Sequence, residues 1–245
     1  MEGSALRVDI LGVDFDGITL PQAVERAAGL LAEGGAHYVV TPNPELVQHA
    51  RREPEFQAVL NGADLVLPDG VGITYAAKIL GRPLRGRVPG IDFASALCDV
   101  LAKDGRRLFL LGAKPGVAEQ AAGNLKKDHP GLTVCGVHDG YFKENSPVVG
   151  EIRAARADVV FVCLGFPRQE YWMAQNGGDT GAGLLVGLGG SLDVFAGQIK
   201  RAPEGFRKLG LEWLYRLITQ PSRIGRMAKL PLFLFSALGE KLKGK

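Results

Sequence analysis

The chain has 245 residues, of which 46% are apolar and 22% charged, so it is not a disordered chain and is long enough for one large, well-buried domain. Charge is divided unevenly: residues 1–199 hold 18 Lys and Arg against 23 Asp and Glu, a net of −5, whereas residues 200–245 hold 11 against 3, a net of +8. The basic C-terminal part predicts a polyanionic partner: nucleic acid, phosphate or an anionic membrane.

Short apolar or β-branched runs alternate with helical patterns along the chain. The predicted strands cover residues 6–11, 37–41, 64–68, 107–112, 132–137, 158–165 and 183–189. Apolar positions three and four residues apart predict helices over residues 20–32, 44–60, 91–103, 115–127 and 168–175, the first capped by Thr19, whereas residues 177–183 (GGDTGAG) are predicted to be a loop. This alternation predicts an α/β fold with a mostly parallel sheet flanked by helices.

The carboxyl ends of the predicted strands are the place to look for a site, because ligands of such sheets bind there. These ends carry TPNPE (41–45), PDGVG (68–72), LGAKPG (111–116), HDGYF (138–142), GFPRQE (165–170) and GLGGSLD (187–193). All six are expected to converge on one crevice.

Beyond Ser191 the sequence becomes basic and helical, which predicts a boundary between an α/β domain over residues 1–195 and an appendage over residues 196–245. An apolar run from Leu230 to Leu238 is too short to cross a bilayer, since a span needs about 20 residues. A segment of this kind suits the membrane interface instead.

Two acids in VDFDG, Asp14 and Asp16, resemble the first motif of haloacid-dehalogenase phosphatases and the metal-binding DxD of many sugar-nucleotide transferases. The phosphatase threonine stands two residues after the second acid, whereas here Ile18 has that place and Thr19 is one residue late. A strand edge that turns into a helix capped by Thr19 is the favoured interpretation.

Three strand ends carry residue types that serve no core: TPNPE with Thr41, LPDGVG with Asp69 and GFPRQEYW with Gln169. Each has a structural alternative: Thr41 as a cap, Asp69 as an N-cap of a helix at residue 70, and Gln169 as a surface residue. Together they favour a polar ligand site. The histidines lack metal-ligand spacing, and neither a P-loop nor a GxSxG elbow is present.

These three stretches, with RVPGIDF (87–93), HDGYF and GGSLDVFAGQIKRAPEGFRKLGLEWLYRLITQP, resemble the WecG/TagA/CpsF family of bacterial glycosyltransferases from about residue 6 to 230. The resemblance implies a Rossmann-like fold and transfer of N-acetylmannosamine from UDP to undecaprenyl-diphosphate-linked N-acetylglucosamine. It further implies a β-1,4 bond formed with inversion, as in wall teichoic acid linkage-unit synthesis, with no metal or other cofactor. In this family Asp16 and Thr19 fit a structural turn.

An inverting transfer needs a base for the acceptor hydroxyl, and Asp69 is the predicted base. Thr41 is expected to hold a sugar or acceptor hydroxyl, and Asn43 with Gln169 to recognise the nucleotide or the acetamido group. Charge on the leaving diphosphate calls for guanidinium groups. The predicted cations are Arg87 in the domain and Arg216, Arg223 and Arg226 in the appendage.

The expected location is the cytoplasm, peripheral on the inner face of the membrane. The chain start lacks a signal-peptide pattern, and Cys98, Cys135 and Cys163 have no CxxC spacing. Expected partners are a UDP-sugar, a polyprenyl-diphosphate-linked acceptor and anionic lipid, with homo-oligomerisation left open. The alternatives are another donor in the same family (UDP-glucose or a mannosaminuronic acid derivative), a phosphatase that uses Asp14, and a nucleic-acid-binding module.

Overall fold

The computed structural model describes residues 7–219 and 229–243. Its strands are β1 (Arg7–Ile10), β2 (Val13–Asp16), β3 (His37–Val40), β4 (Leu65–Val66), β5 (Arg107–Gly112), β6 (Thr133–His138), β7 (Val159–Cys163) and β8 (Leu184–Gly187). Six of them form one parallel sheet in the order β4-β3-β8-β7-β5-β6. The predicted α/β fold with a parallel sheet flanked by helices is confirmed.

Helices cover both faces of this sheet. They are α1 (Leu20–Glu33), α2 (Pro44–Ala50), α3 (Pro54–Asn61), α4 (Val71–Leu80), α5 (Gly90–Asp104), α6 (Val117–Asp128), α7 (Asn145–Ala154), α8 (Arg168–Thr180), α9 (Ser191–Phe195), α10 (Glu204–Lys208), α11 (Glu212–Thr219) and α12 (Lys229–Lys243). One buried cluster joins the sheet to α2, α3, α4, α7, α8 and α12, and the other joins it to α1, α5, α6 and α9.

The two innermost strands, β8 and β7, are apolar at every position because both of their faces are covered. In β7, Val160 and Val162 point into the first cluster, whereas Val159, Phe161 and Cys163 point into the second. The period of two in side-chain direction therefore divides one apolar run between two cores.

The first predicted strand, over residues 6–11, does not belong to the parallel sheet, so that part of the prediction is wrong. It forms β1, which pairs antiparallel with β2 in a two-stranded hairpin. Asp16 joins this hairpin to the edge of the main sheet, because its Oδ2 accepts a 2.7 Å hydrogen bond from the amide of Val66 in β4. Burial raises the pKa of Asp16, and that amide opposes the shift.

Two predicted helix boundaries are also wrong. The helix predicted over residues 44–60 is broken into α2 and α3 at residues 51–53, because Pro54 disfavours a helical conformation in the residue before it. The loop predicted at residues 177–183 instead begins as the last turn of α8. Gly177 is needed there for close packing, since a Cβ at this position would lie 3.2 Å from Cδ1 of Leu185.

The C-terminal helix α12 packs onto α2 and α4. Phe233 and Ala237 are fully buried in this contact, and Gln48 donates a 3.0 Å hydrogen bond to Ser236 Oγ. Burial of a side chain such as Phe233 contributes about 1.5–3 kcal/mol. No helix among the described residues is long and apolar enough to cross a membrane.

A buried carboxyl lies in the first turn of α8. Glu170 is fully buried; its Oε1 accepts a 2.8 Å hydrogen bond from Gln169, whereas its Oε2 has no hydrogen-bond partner among the described residues. Burial raises the pKa of Glu170 to about 7. The folded protein therefore binds a proton at this site that the unfolded chain releases near the ordinary value of 4.5.

A second titrating group lies at the amino end of β3. His37 Nδ1 lies 2.8 Å from Asp64 Oδ1, and its Nε2 lies 2.9 Å from the carbonyl oxygen of Gly34. The hydrogen bond to Asp64 raises the pKa of His37 above 6.5, because it favours the protonated ring. This contact stabilises the fold while His37 is charged.

We predict that Glu170→Gln stabilises the protein at alkaline pH. The wild-type free energy of unfolding should fall as pH rises from about 4.5 through about 7, because the unfolded chain releases this proton while the folded protein still holds it. The amide keeps an acceptor for Gln169 and removes this cost, so the variant should gain on the order of 2–3 kcal/mol at pH 8.5. Urea unfolding at pH 5 and 8.5 measures the difference, with exposed Glu119→Gln as the control. A variant less stable than wild type at pH 8.5 would contradict the prediction.

We also predict that the contribution of His37 to the free energy of unfolding falls as pH rises, for a reason separate from that of Glu170. Its stabilising contact is fully present below the unfolded pKa and is lost as pH rises through the higher folded pKa. His37→Gln should therefore destabilise the protein more at pH 5.5 than at pH 8.5 in urea unfolding. The pH dependence of this effect should become smaller in an Asp64→Asn background, because Asp64 is the largest cause of the raised pKa; an undiminished pH dependence there would rule out Asp64 as that cause.

Candidate active site

A cavity of about 460 Å³ opens at the carboxyl ends of β4, β3, β8 and β7, which are consecutive strands of the sheet. Its walls include residues from the loops after all four strands. The loops after β5 and β6, LGAKPG and HDGYF, are not among the lining residues, so the predicted convergence of six strand ends is wrong for these two. The sheet order places both strands on the far side of β7.

The loop after β3 supplies Thr41 and Asn43 to the cavity wall. Thr41 donates a 2.9 Å hydrogen bond from Oγ1 to the carbonyl oxygen of Gly187, at the end of the adjacent β8. Asn43 is the N-cap of α2, and its Oδ1 accepts hydrogen bonds from the amides of Glu45 (2.8 Å) and Leu46 (3.3 Å). Both polar side chains are therefore held in place by the backbone around them.

Asp69 lines the same cavity from the turn between β4 and α4. Its backbone amide donates a 3.2 Å hydrogen bond to the carbonyl oxygen of Pro42, which ties this turn to the loop after β3. The N-cap of α4 is Gly70, so the alternative role of Asp69 as an N-cap is not observed. Asp69 is half-buried and is part of the cavity wall.

Gln169 lines the cavity but is only 3% exposed, so the alternative of a surface residue is wrong. Its Oε1 accepts a 2.9 Å hydrogen bond from the amide of Gly189, and its Nε2 donates to the buried Glu170. Both ends of the amide are thus bonded within the protein. Gln169 fixes the loop after β8, which forms one wall of the cavity.

Arg87, just before α5, brings a positive charge to the cavity. Its Nη1 lies 3.6 Å from Oε2 of Glu212, the first residue of α11. Gly210 and Trp213 line the cavity beside Glu212, so the beginning of the C-terminal segment forms part of the wall.

The other predicted arginines cannot be located at the site. Arg216 belongs to α11, but its side chain is not described. Arg223 and Arg226 lie outside the described residues.

Two cavity-lining acids, Glu45 and Glu212, were not predicted from the sequence. Glu45 stands within TPNPE, where only Thr41 and Asn43 were assigned roles. Glu212 and the nearby Arg201 stand in the RAP and LGLEW segments that carry the family resemblance. These segments indicated the family, but their spacing in the sequence did not show which charged residues Glu212 and Arg201 would contact in the fold.

The Asp-Gly motif at Asp14 and Asp16 lies in the β1–β2 hairpin and not among the lining residues. Asp16 is 6% exposed and is bonded to Val66, a structural role that does not suit a phosphatase nucleophile or acid. Thr19 precedes α1, where Gln22 Oε1 accepts a 3.0 Å hydrogen bond from its amide. Within the described ranges, no group of three or more His, Cys, Asp or Glu residues is arranged to hold a metal ion.

The chain matches the glycosyl transferase WecG/TagA/CpsF family over residues 8–245. Two similar proteins, one from Bacillus spizizenii and one from Staphylococcus aureus, are both named N-acetylglucosaminyldiphosphoundecaprenol N-acetyl-beta-D-mannosaminyltransferase. The first is 40% identical over 201 residues, which are 82% of this chain and 78% of the relative. The second is 37% identical over 242 residues, which are 98% of this chain and 95% of the relative. The chain belongs to the WecG/TagA/CpsF family of glycosyl transferases.

Proposed function

We propose that the protein is an inverting glycosyltransferase that moves N-acetylmannosamine from UDP to undecaprenyl-diphosphate-linked N-acetylglucosamine. The product linkage is β-1,4, as in the linkage unit of wall teichoic acid. The observation that carries the proposal is the meeting of Asp69 and Arg87 in one cavity of a chain that matches this family over residues 8–245. A base for the acceptor and a cation for the leaving group are thereby available together.

Asp69 is the proposed general base. It takes the proton of the acceptor's 4-hydroxyl while that oxygen attacks the anomeric carbon from the side opposite UDP, so the bond to UDP breaks as the new bond forms. A positioned carboxylate contributes about 10²–10⁴-fold to such a step. The bond from the Asp69 amide to Pro42 holds its turn beside the loop that carries Thr41.

Thr41, Asn43 and Gln169 orient the substrates in this proposal. Thr41 uses its hydroxyl proton on Gly187, which leaves its oxygen as an acceptor for a sugar or acceptor hydroxyl. The Nδ2 group of Asn43 is the donor for the nucleotide or the acetamido group, because its Oδ1 caps α2. Gln169 acts through the loop after β8, since both ends of its amide are engaged in internal bonds.

Charge that develops on the leaving diphosphate is met by Arg87, together with Arg216, Arg223 and Arg226 of the C-terminal segment. Preorganised donors of this kind are usually the largest electrostatic contribution to catalysis. The amino end of α4 also lines the cavity with Gly70, Val71 and Gly72, and the amides of a helix N-terminus favour an anion.

The C-terminal segment is the proposed membrane contact. The surface of α12 that faces away from α2 and α4 exposes Leu232 (61%), Phe235 (70%), Leu238 (45%) and Leu242 (67%). Their spacing of three and four residues places them on one face of the helix. The segment of residues 200–245 also has a net charge of +8, which favours the anionic inner leaflet where the lipid-linked acceptor is found.

Another donor in the same family is the second candidate. UDP-glucose would meet the same diphosphate contacts, whereas a mannosaminuronic acid donor adds a carboxylate that calls for one more cation beside the sugar. The charged residues among the described lining residues are Glu45, Asp69, Arg87 and Glu212. Of these only Arg87 is a cation, so a neutral sugar such as N-acetylmannosamine or glucose is favoured over one that carries a carboxylate.

We predict that Asp69→Asn reduces the rate of UDP release by about 10²–10⁴-fold, because the amide cannot accept the acceptor's proton. The measurement is UDP release from UDP-N-acetylmannosamine with and without a lipid-diphosphate N-acetylglucosamine acceptor, in EDTA. Wild-type release should depend on the acceptor and should survive EDTA.

The matched control is Asp14→Asn, an equal change in the other Asp-Gly stretch and away from the cavity. It should retain acceptor-dependent release, whereas the phosphatase alternative requires its loss. Activity that EDTA abolishes, or that Asp69→Asn leaves unchanged, would contradict the proposed mechanism. Absence of release with any acceptor would direct the assay to UDP-glucose and other donors.

We predict that the double variant Phe235→Ser, Leu242→Ser binds membranes at least about tenfold more weakly, because it removes two large apolar side chains from the exposed face of α12. Co-sedimentation with vesicles that contain anionic lipid measures the change. Both side chains are exposed, so the fold should be retained, as circular dichroism checks. Tyr141→Ser removes a similarly exposed aromatic residue (69%) from the loop after β6 and should bind like the wild type. Equal losses in both variants would argue against α12 as the contact.

A further inference from the structure

The start of the C-terminal segment places a negative charge inside the cavity. Glu212, the first residue of α11, lines the cavity and is only 8% exposed. Its Oε2 lies 3.6 Å from Nη1 of Arg87, and the two side chains are 11% and 21% exposed. Charges shielded from water in this way interact more strongly than charges on the surface. Glu212 therefore engages the cation that a bound diphosphate would need.

A second arginine, Arg201, also interacts with the charge of Glu212. Arg201 forms an ion pair with Asp92, with contacts of 2.6 Å and 2.7 Å from its two terminal nitrogens. Burial alone lowers the pKa of Arg201, but the hydrogen bond that Arg201 donates to Asp92 and the charges of Asp92, Glu212 and Asp69 outweigh it, so the pKa is raised. Glu212 thus lies within electrostatic reach of both Arg87 and Arg201.

The backbone before α11 is packed tightly against the proposed catalytic turn. Gly210 has a φ of 71°, and a Cβ there would lie 3.1 Å from Cγ2 of Val71, two residues after Asp69. The left-handed conformation and the close approach both favour glycine at this position. The turn that carries Glu212 therefore rests on the turn that carries Asp69.

A diphosphate bound to Arg87 would compete with Glu212 in this arrangement. A nucleoside diphosphate brings several negative charges, and a fixed carboxylate at the same guanidinium repels them. Donor binding must therefore separate Glu212 from Arg87 or be weakened by it. A change at Glu212 would be transmitted to α11, because Glu212 is its first residue.

We propose that Glu212 is an internal anion that holds Arg87 until the diphosphate of a nucleotide displaces it, so that donor binding moves the start of α11. This inference rests on the proposed function, which names UDP as the nucleotide and Arg87 as the cation for its diphosphate. Glu212 is a positioning residue in this account, since it acts through Arg87 and does not touch the reacting atoms. The contact couples occupation of the cavity to the position of the C-terminal segment.

The first test is the affinity for UDP, measured by titration calorimetry with the full chain. Glu212→Gln keeps the shape of the side chain and removes its charge, so UDP should bind more tightly, on the order of three- to tenfold. Unchanged or weaker binding would overturn the inference, because it would mean that Glu212 does not compete or that it supports the site.

A double-mutant cycle separates competition for Arg87 from simple charge repulsion. The gain from Glu212→Gln should be smaller in an Arg87→Gln background, where no guanidinium remains to be released. An equal gain in both backgrounds would show that Glu212 acts only through its net charge, and would overturn the inference. Arg87→Gln alone should weaken UDP binding, which tests the proposed function separately.

Trp213 reports on the surroundings of the start of α11. It follows Glu212, lines the cavity and is 36% exposed, whereas the only other tryptophan, Trp172, is 3% exposed. UDP should change the tryptophan emission of the wild type, and Trp213→Phe should remove that change. Saturating UDP that leaves the emission unchanged would overturn the movement of α11.

Inorganic pyrophosphate distinguishes the two proposals. If the wild type binds pyrophosphate but not UDP, the proposed donor is wrong, and the Glu212 cycle is then measured with pyrophosphate. If it binds neither, both proposals fail.

Discussion

The pairing of β3 with β8 is the constraint on which the site depends. These strands are far apart in the chain, yet their parallel register brings Thr41 to Gly187 across a separation of 146 residues. Because all six strands run in the same direction, their carboxyl ends lie along one edge, and the four at β4, β3, β8 and β7 enclose the cavity. The polar residues at this edge have fixed positions, because the sheet that carries them is apolar and covered on both faces.

The buried amide–carboxyl pair under this edge shows how the scaffold holds a functional loop. Gln169 reaches from α8 to the amide of Gly189, and Glu170 holds the other end of its amide. A buried carboxyl is costly when it ionises, and burial accordingly raises the pKa of Glu170 to about 7. The loop after β8 is thus kept in place by a group that is unfavourable for stability above neutral pH. Positioning of a site at some cost in stability is a common arrangement in enzymes.

The C-terminal segment contacts the α/β domain in two chemically different ways. Glu212 of α11 makes a polar contact inside the cavity, whereas Phe233 and Ala237 of α12 make an apolar contact with the outer helices. The opposite face of α12 presents Leu232, Phe235, Leu238 and Leu242. One segment therefore joins the cavity, the domain and, in the proposed function, the lipid surface. A change at the cavity and a change at the membrane would act on the same piece of chain.

The sequence by itself determined the α/β class, the parallel strands and three of the loops that build the site, because burial on both faces imposes continuous apolar runs and the strand ends carry polar residues without a core role. It did not determine that residues 7–16 form a hairpin, that α2 ends before Pro54 or that α8 continues through Gly177, since these depend on pairing and packing partners elsewhere in the chain. Only the tertiary structure showed that Gln169 is buried beneath the cavity and that Glu212 lies beside Arg87. Such contacts join residues remote in sequence, and local periodicity carries no information about which distant charges or amides will meet.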